Sequence, residues 1–204
     1  MVSKAAAEAQ CRHEEKKLLR QQFLAARRPL TQEERLAASH EMIERLRALP
    51  EFRQARSIFL YASLPDEVQL YELMDSCLAE GRQVVLPLIK RKGFMVPVLL
   101  PGREALVTDA YGIATVRAEA RRELAPERLD LIIVPGAAFA PDGARLGLGA
   151  GFYDRFMAEQ APQALRGALA FDCQLADSLP MEAHDQYVQF VLTESRQIRC
   201  GKVN

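Results

Sequence analysis

The 204-residue chain contains no tryptophan, and aromatic residues make up only 7% of it. It also has no net charge, because 27 Lys and Arg balance 27 Asp and Glu. Proteins that track nucleic acid rely on a basic surface and on aromatic platforms for the bases, so no nucleic-acid partner is expected. No apolar run approaches the roughly 20 residues that a membrane-spanning helix needs, and no membrane partner is expected either. The first ten residues are Ala-rich and charged, without the continuous apolar segment of a secretory signal. Four cysteines (Cys11, Cys77, Cys173 and Cys200) form no CxxC pair and no metal-type spacing. They fit a reduced compartment, with thiols serving as small hydrophobes. A cytoplasmic protein is the expectation.

What is present suits a packed globular chain. Apolar residues supply 49% and charged residues 26%, and a chain of this length buries most of the surface its unfolded form exposes. The charge is uneven: residues 1–56 hold 12 Lys and Arg against 8 Asp and Glu, so the basic excess lies at the front. From Lys4 to Arg28 the chain lacks Gly and Pro and reads as a helix, ended by Pro29. Thr31 and Glu34 have the spacing of a capping box, and a second helix should run to Leu49. Short apolar runs then alternate with helical stretches. Strands are expected at Ser57–Tyr61, Val84–Leu86, Phe94–Val98, Leu131–Val134, Gly167–Phe171 and Phe190–Thr193, with a helix from Val68 to Glu80. Wholly apolar short strands imply an α/β fold: an open, mostly parallel sheet with helices on both faces, a Rossmann-like three-layer sandwich preceded by an N-terminal helical pair. Residues 1–204 are expected to form one domain, with residues 1–50 packed on the α/β core. Ligands of such sheets sit beyond the carboxyl ends of the strands.

One segment past Val134 is unusual. Five of the eleven glycines fall between Gly136 and Gly151, and the stretch ends Arg145-Leu146-Gly147-Leu148-Gly149-Ala150-Gly151-Phe152-Tyr153-Asp154-Arg155. Glycines let successive N–H groups face one concavity and remove the Cβ that would hold a phosphate away. A helix starting near Phe152 would add its N-terminal dipole. Arg145 supplies a cation, and Asp154 a carboxylate suited to Mg²⁺ beside phosphates. The spacing is neither a P-loop nor a dinucleotide fingerprint. A flexible surface turn is the alternative.

Along the first helix, Lys16, Arg20 and Arg27 fall within about 40° of one another, with Phe23 beside them. They could clamp a polyphosphate or lie in solvent. Glu67 and Gln174 follow strands, and only His184 among the histidines has an adjacent carboxylate, Asp185. No further ligand type near His184 suggests zinc.

Taken in order, these segments resemble the 5-formyltetrahydrofolate cyclo-ligase family over nearly the whole chain. Lys16-Lys17-Leu18-Leu19-Arg20 is similar to the family's N-terminal basic motif. Tyr61 through Asp66-Glu67-Val68 resembles its first strand and substrate glutamate. The run from Val134 to Arg155 resembles its signature loop, and Phe171-Asp172-Cys173-Gln174, Leu179-Pro180 and His184-Asp185 its closing segments. Leu70 and the segment Tyr111–Val116 depart from the family's usual residues. The resemblance implies ATP- and Mg²⁺-dependent cyclisation of 5-formyltetrahydrofolate to 5,10-methenyltetrahydrofolate, with release of ADP and phosphate. A folate- or nucleotide-binding regulatory relative without turnover is the alternative. By the same resemblance, ATP would be bound by Lys16, Lys17, Arg20, Arg145, Leu146, Gly147, Leu148, Gly149, Ala150, Gly151, Phe152 and Tyr153, with Arg145 and Lys16 catalytic. Tyr61, Glu67, Phe152 and Tyr153 would contact the folate, and Asp154 and Asp185 would hold Mg²⁺. A monomer is expected.

Overall fold

The computed structural model of the chain describes residues 4–109 and 112–201. Tyr111, in one of the two departing segments, therefore lies outside the described residues. Helix α1 (Lys4–Ala26) and helix α2 (Gln32–Ala48) form the N-terminal pair. Thr31 closes a capping box: its hydroxyl accepts the Glu34 N–H at 3.2 Å, and the Glu34 carboxylate accepts the Thr31 N–H at 2.7 Å. Helix α2 buries Met42, Ile43 and Leu46. A short helix α3 (Pro50–Gln54) opens on proline, where a missing N–H costs nothing.

Strand β1 (Ser57–Phe59) leads through a long loop to helix α4 (Tyr71–Ala79) and then to strand β2 (Gln83–Arg91). Strand β3 (Phe94–Leu99) folds back on β2, and β4 (Leu106–Thr108) pairs with β5 (Ala114–Val116) in a separate ribbon. Strand β6 (Leu131–Ile133) feeds a second ribbon made of β7 (Ala138–Phe139) and β8 (Arg145–Leu146). Helix α5 (Phe152–Arg155) follows, then β9 (Leu165–Leu169), β10 (Phe190–Leu192) and β11 (Gln197–Arg199).

The main sheet runs β11-β10-β9-β6-β1-β2-β3. Neighbours from β10 to β2 are parallel, and the edge strands β3 and β11 are antiparallel. Strand β1 connects rightward to β2, whereas β6 connects leftward to β9. The crevice beyond the carboxyl ends of β1 and β6 is thus the topological switch point, where open α/β sheets bind ligands.

Successive residues of each strand point to opposite faces. Ile58, Val84, Leu131, Leu169 and Phe190 pack under α2, α3 and α4 with Leu46, Phe52 and Leu73. Phe59, Val85, Ile132, Ala168 and Val191 pack with Phe139, Phe156, Met157 and Val188. The layer on this second face is thin. Its helix is α5 and the π-helical turn Phe156–Gln160 that continues it, stopped at Ala161 before Pro162.

Most element ends fall within two residues of the sequence reading, and two boundaries differ by three or more. Helix α4 begins at Tyr71 rather than Val68, because side chains hold the preceding backbone: Ser63 Oγ donates to Val68 O at 2.7 Å and accepts the Leu70 N–H at 3.0 Å. Ser39 Oγ accepts the Gln69 N–H at 2.9 Å. Strand β2 continues past Pro87 to Arg91. There it has left the register of β1, and Pro87 stands opposite Pro97, a pair in which neither strand needs the other's N–H.

Candidate active site at the switch point

The loop after β1 carries Tyr61 and Glu67 into the crevice, both about nine-tenths buried at 7% exposure. Glu67 closes a turn by accepting the Leu64 N–H at 3.0 Å, and Arg27 pairs with the neighbouring Asp66 at 2.7 Å. Burial pushes the Glu67 carboxyl above its ordinary range, against the opposing pull of the Leu64 N–H and of Arg27. Burial, with Glu67 nearby, likewise raises the phenols of Tyr61 and Tyr153. The departing residue Leu70 is wholly buried in the core.

The loop after β6 is rooted by Gln174. Its amide donates to Gly136 O at 2.9 Å and Ala137 O at 3.1 Å and accepts the Phe171 N–H at 3.1 Å. The β7–β8 ribbon then turns Arg145 inward at 4% exposure. The Arg145 guanidinium donates to Pro135 O at 3.0 Å and to Asp154 Oδ1 at 2.6 Å, while its Nε is buried without a hydrogen-bond partner among the described residues. Asp154 Oδ1 also accepts the Gln186 N–H at 3.1 Å. Burial would raise the Asp154 carboxyl, but Arg145 and the Gln186 N–H outweigh it and hold it below the ordinary value. The sequence reading offered Arg145 to phosphate and Asp154 to metal as separate groups; they are also each other's partner. The helix dipole expected at Phe152 is weak, because α5 has only 4 residues before it widens into the π turn. Any anion site here rests on loop amides and side chains.

Helix α1 crosses the same opening and is held by its cations rather than by an apolar stripe. Lys16, 5% exposed, donates to Glu182 at 2.6 Å and Asp185 at 2.5 Å. One turn on, Arg20 Nε donates to Gly147 O at 2.8 Å, over the glycine loop. Arg27 reaches Asp66. The basic face is therefore docked and not solvated, and each cation reaches a different loop. Lys17 is exposed and lines neither cavity described below.

Two cavities meet at the glycine loop. The larger, about 700 Å³, is mainly apolar; Tyr61, Glu67, Ile89, Met95, Phe152 and Tyr153 line it, with Ala114 and Thr115 of the departing segment. The smaller, about 490 Å³, is lined by Lys16, Arg20, His13, Glu182, His184 and Asp185. Arg145, Gly147, Gly151 and Asp154 line both and form the shared wall. Leu148, Ala150, Phe152 and Tyr153 face the larger cavity, and Leu146 and Gly149 the smaller.

Magnesium takes oxygen ligands, often one or two carboxylates beside phosphates. Asp154 uses Oδ1 for its hydrogen bonds and Asp185 uses Oδ2 for Lys16 and the Glu182 N–H, so each keeps an oxygen free of hydrogen bonds among the described residues. That donor set fits the ion. Glu182 was not singled out from sequence, since nothing local ties it to Lys16, 166 positions away. It lies with His184 and Asp185 in a group whose ligand atoms are within 4.8 Å of one another, where the Lys16 ammonium balances one of the two carboxylate charges.

A mostly parallel sheet with an apolar and a polar cavity meeting across one glycine loop at its switch point marks an α/β protein whose candidate site lies where such folds bind ligands. A profile of the 5-formyltetrahydrofolate cyclo-ligase family matches residues 12–194, and the chain belongs to that family. The Escherichia coli K12 5-formyltetrahydrofolate cyclo-ligase is 30% identical, covering 83% of this chain and 95% of its own length. The mouse enzyme of the same name is 30% identical over 88% of this chain and 93% of its own. The solution structure of Aquifex aeolicus 5,10-methenyltetrahydrofolate synthetase superimposes with a TM-score of 0.81 at 31% identity, covering 93% of this chain and 94% of that one. The protein is a ligase of folate one-carbon metabolism with 5-formyltetrahydrofolate cyclo-ligase activity. Among the described residues no helix is long and apolar enough to cross a membrane.

Proposed function

We propose that the protein uses ATP and Mg²⁺ to close 5-formyltetrahydrofolate into 5,10-methenyltetrahydrofolate, releasing ADP and phosphate, as a cytoplasmic monomer in which all 204 residues work as one unit. The observation that carries this reading is the shared wall: Arg145, Gly147, Gly151 and Asp154 face a polar, cation-lined cavity on one side and an apolar one on the other. The reacting formyl oxygen and γ-phosphate have to meet across such a wall.

Lys16, Arg20 and Arg145 with the amides of residues 147–153 bind the triphosphate; Lys17, exposed and one residue from Lys16, adds positive charge to the N-terminal helix that faces it. Tyr61, Glu67, Phe152 and Tyr153 hold the reduced pterin. The formyl oxygen attacks the γ-phosphorus and the bond to the β–γ bridging oxygen breaks, so ADP leaves. N10 then attacks the activated formyl carbon and gives up its proton. The carbon–oxygen bond breaks, phosphate departs, and the methenyl bridge remains. Such chemistry needs positioning and charge stabilisation more than a nucleophilic side chain. Magnesium bound by Asp154 and Asp185 supplies charge neutralisation on the phosphates.

The test mixes protein, 5-formyltetrahydrofolate, ATP and Mg²⁺ and follows methenyl absorbance. Absorbance should rise, and omission of ATP or addition of a chelator should abolish the rise. Product formation without nucleotide would overturn the reading.

A further inference from the structure

Arg155, the residue after Asp154 in α5, has no part in the scheme above, yet its guanidinium bridges two loops of the site. Its Nε donates to Gly93 O at 2.9 Å, in the turn between β2 and β3, and its Nη2 donates to Ala150 O at 2.6 Å, in the glycine loop. One acceptor belongs to Gly93, itself in the left-handed region at φ 76°, and the other to Ala150, which precedes Gly151 at φ 65°. A Cβ on Gly93 would stand 2.9 Å from Nη2, and one on Gly151 3.0 Å from Nη1. Their positive φ calls for glycine at both positions, and the guanidinium occupies the space that the missing side chains leave. The cation also lies 5.9 Å from the centre of the Phe152 ring.

The two loops it joins share the apolar cavity, and of the two only the glycine loop also lines the polar one. Ile89, Arg91, Lys92 and Met95 of the hairpin line the apolar one, and the hairpin is a wall of that cavity alone. The glycine loop lines both. We infer that Arg155 is a positioning residue that clasps the β2–β3 hairpin to the glycine loop, so that a ligand ordering the hairpin also orders the amides that hold the phosphates. On the function proposed above, the folate and ATP should then bind with positive coupling carried through Arg155. Ordering that one ligand has already brought about need not be repeated for the next.

The experiment uses the full chain. The affinity for the β,γ-imido analogue of ATP is measured with and without saturating 5-formyltetrahydrofolate, in the wild type, Arg155→Gln, Arg155→Lys and Gly93→Ala. The wild type should gain at least about fivefold from the folate, the lower end of ordinary coupling. Arg155→Gln should drop to less than about twofold, and Arg155→Lys should recover only part of the gain, because the ammonium is a point charge without the rigid planar fork that presents separate N–H groups to the two carbonyls. Gly93→Ala strains the turn at φ 76° as well as crowding the guanidinium, so it should lose the gain at least as fully as Arg155→Gln. Hydrogen exchange on the ligand-free proteins should show faster exchange at residues 91–95 and 149–152 in the variants. That readout stands even if the substrates are not those proposed, whereas absence of methenyl product in the wild type counts against the function and not against the clasp. Unchanged coupling together with unchanged exchange in Arg155→Gln would overturn the inference.

Discussion

Arg145 Nη2 and Asp154 Oδ1 lie 2.6 Å apart inside the wall that both cavities share, with side-chain exposures of 2% and 13%. The cation and the carboxylate best placed to handle phosphate and metal are held in register by each other before any ligand arrives. Removing one member of a buried pair leaves an uncompensated charge.

Asp154→Ala should therefore lower stability by about 3–5 kcal/mol. Asp154→Asn, which keeps an oxygen for Arg145 and the Gln186 N–H, should cost much less and still lose most turnover. Urea unfolding and the methenyl assay together separate the two effects. Full activity in Asp154→Asn would remove this carboxylate from the metal site. Arg145→Ala in the Asp154→Ala background should cost less than in the wild type, since the pair is already broken.

Glu67 sets an opposite balance. Its carboxyl is raised in the folded protein by burial, so the folded state holds the proton to higher pH than the unfolded chain, whose value is about 4.3. Stability from this group is intact below that value and falls as pH rises through the folded-state value. Glu67→Gln should thus unfold at a higher urea concentration than wild type at pH 8 and at nearly the same one at pH 4, while losing folate affinity. An equal difference at both pH values would show that charge is not the cause.

Gln174 tests the root of the glycine loop. Gln174→Leu orphans two carbonyls and an N–H, all buried, and each unsatisfied group costs about 1–3 kcal/mol. A loss of about 3 kcal/mol is expected after relaxation, with KM for ATP rising more than KM for the folate. A fully stable variant with unchanged ATP kinetics would mean that the loop is rooted elsewhere.

Lys16→Met should raise KM for ATP by roughly 10–100-fold, the equivalent of one charged hydrogen bond. KM for the folate should stay within about twofold, because Lys16 lines only the polar cavity. Equal rises for both substrates would contradict the division of the site.

The order of elements was readable because each strand is a short apolar run between turn residues, and 100° spacing put Lys16, Arg20 and Arg27 on one face of α1 without deciding whether that face is docked or solvated. The glycine loop announced itself by composition. What those residues touch was not readable. The partners of Lys16 and Arg27 lie 166 and 39 positions away, and only the tertiary fold brings Gly93 to Arg155. Even Arg145 and Asp154, 9 residues apart, meet only because a ribbon turns between them. The late start of α4 escaped notice because two serine side chains, not propensity, decide it.

The seat of Lys16 has one more consequence. Its ammonium is already stripped of most water and shared between two carboxylates, of which Glu182 is the more open, at 29% against 12%. An entering anion would take over a dehydrated cation by trading places with Glu182, so arrival is a swap of counterions and departure restores the resident acid. The catalyst is kept electrically whole between turnovers by its own side chains.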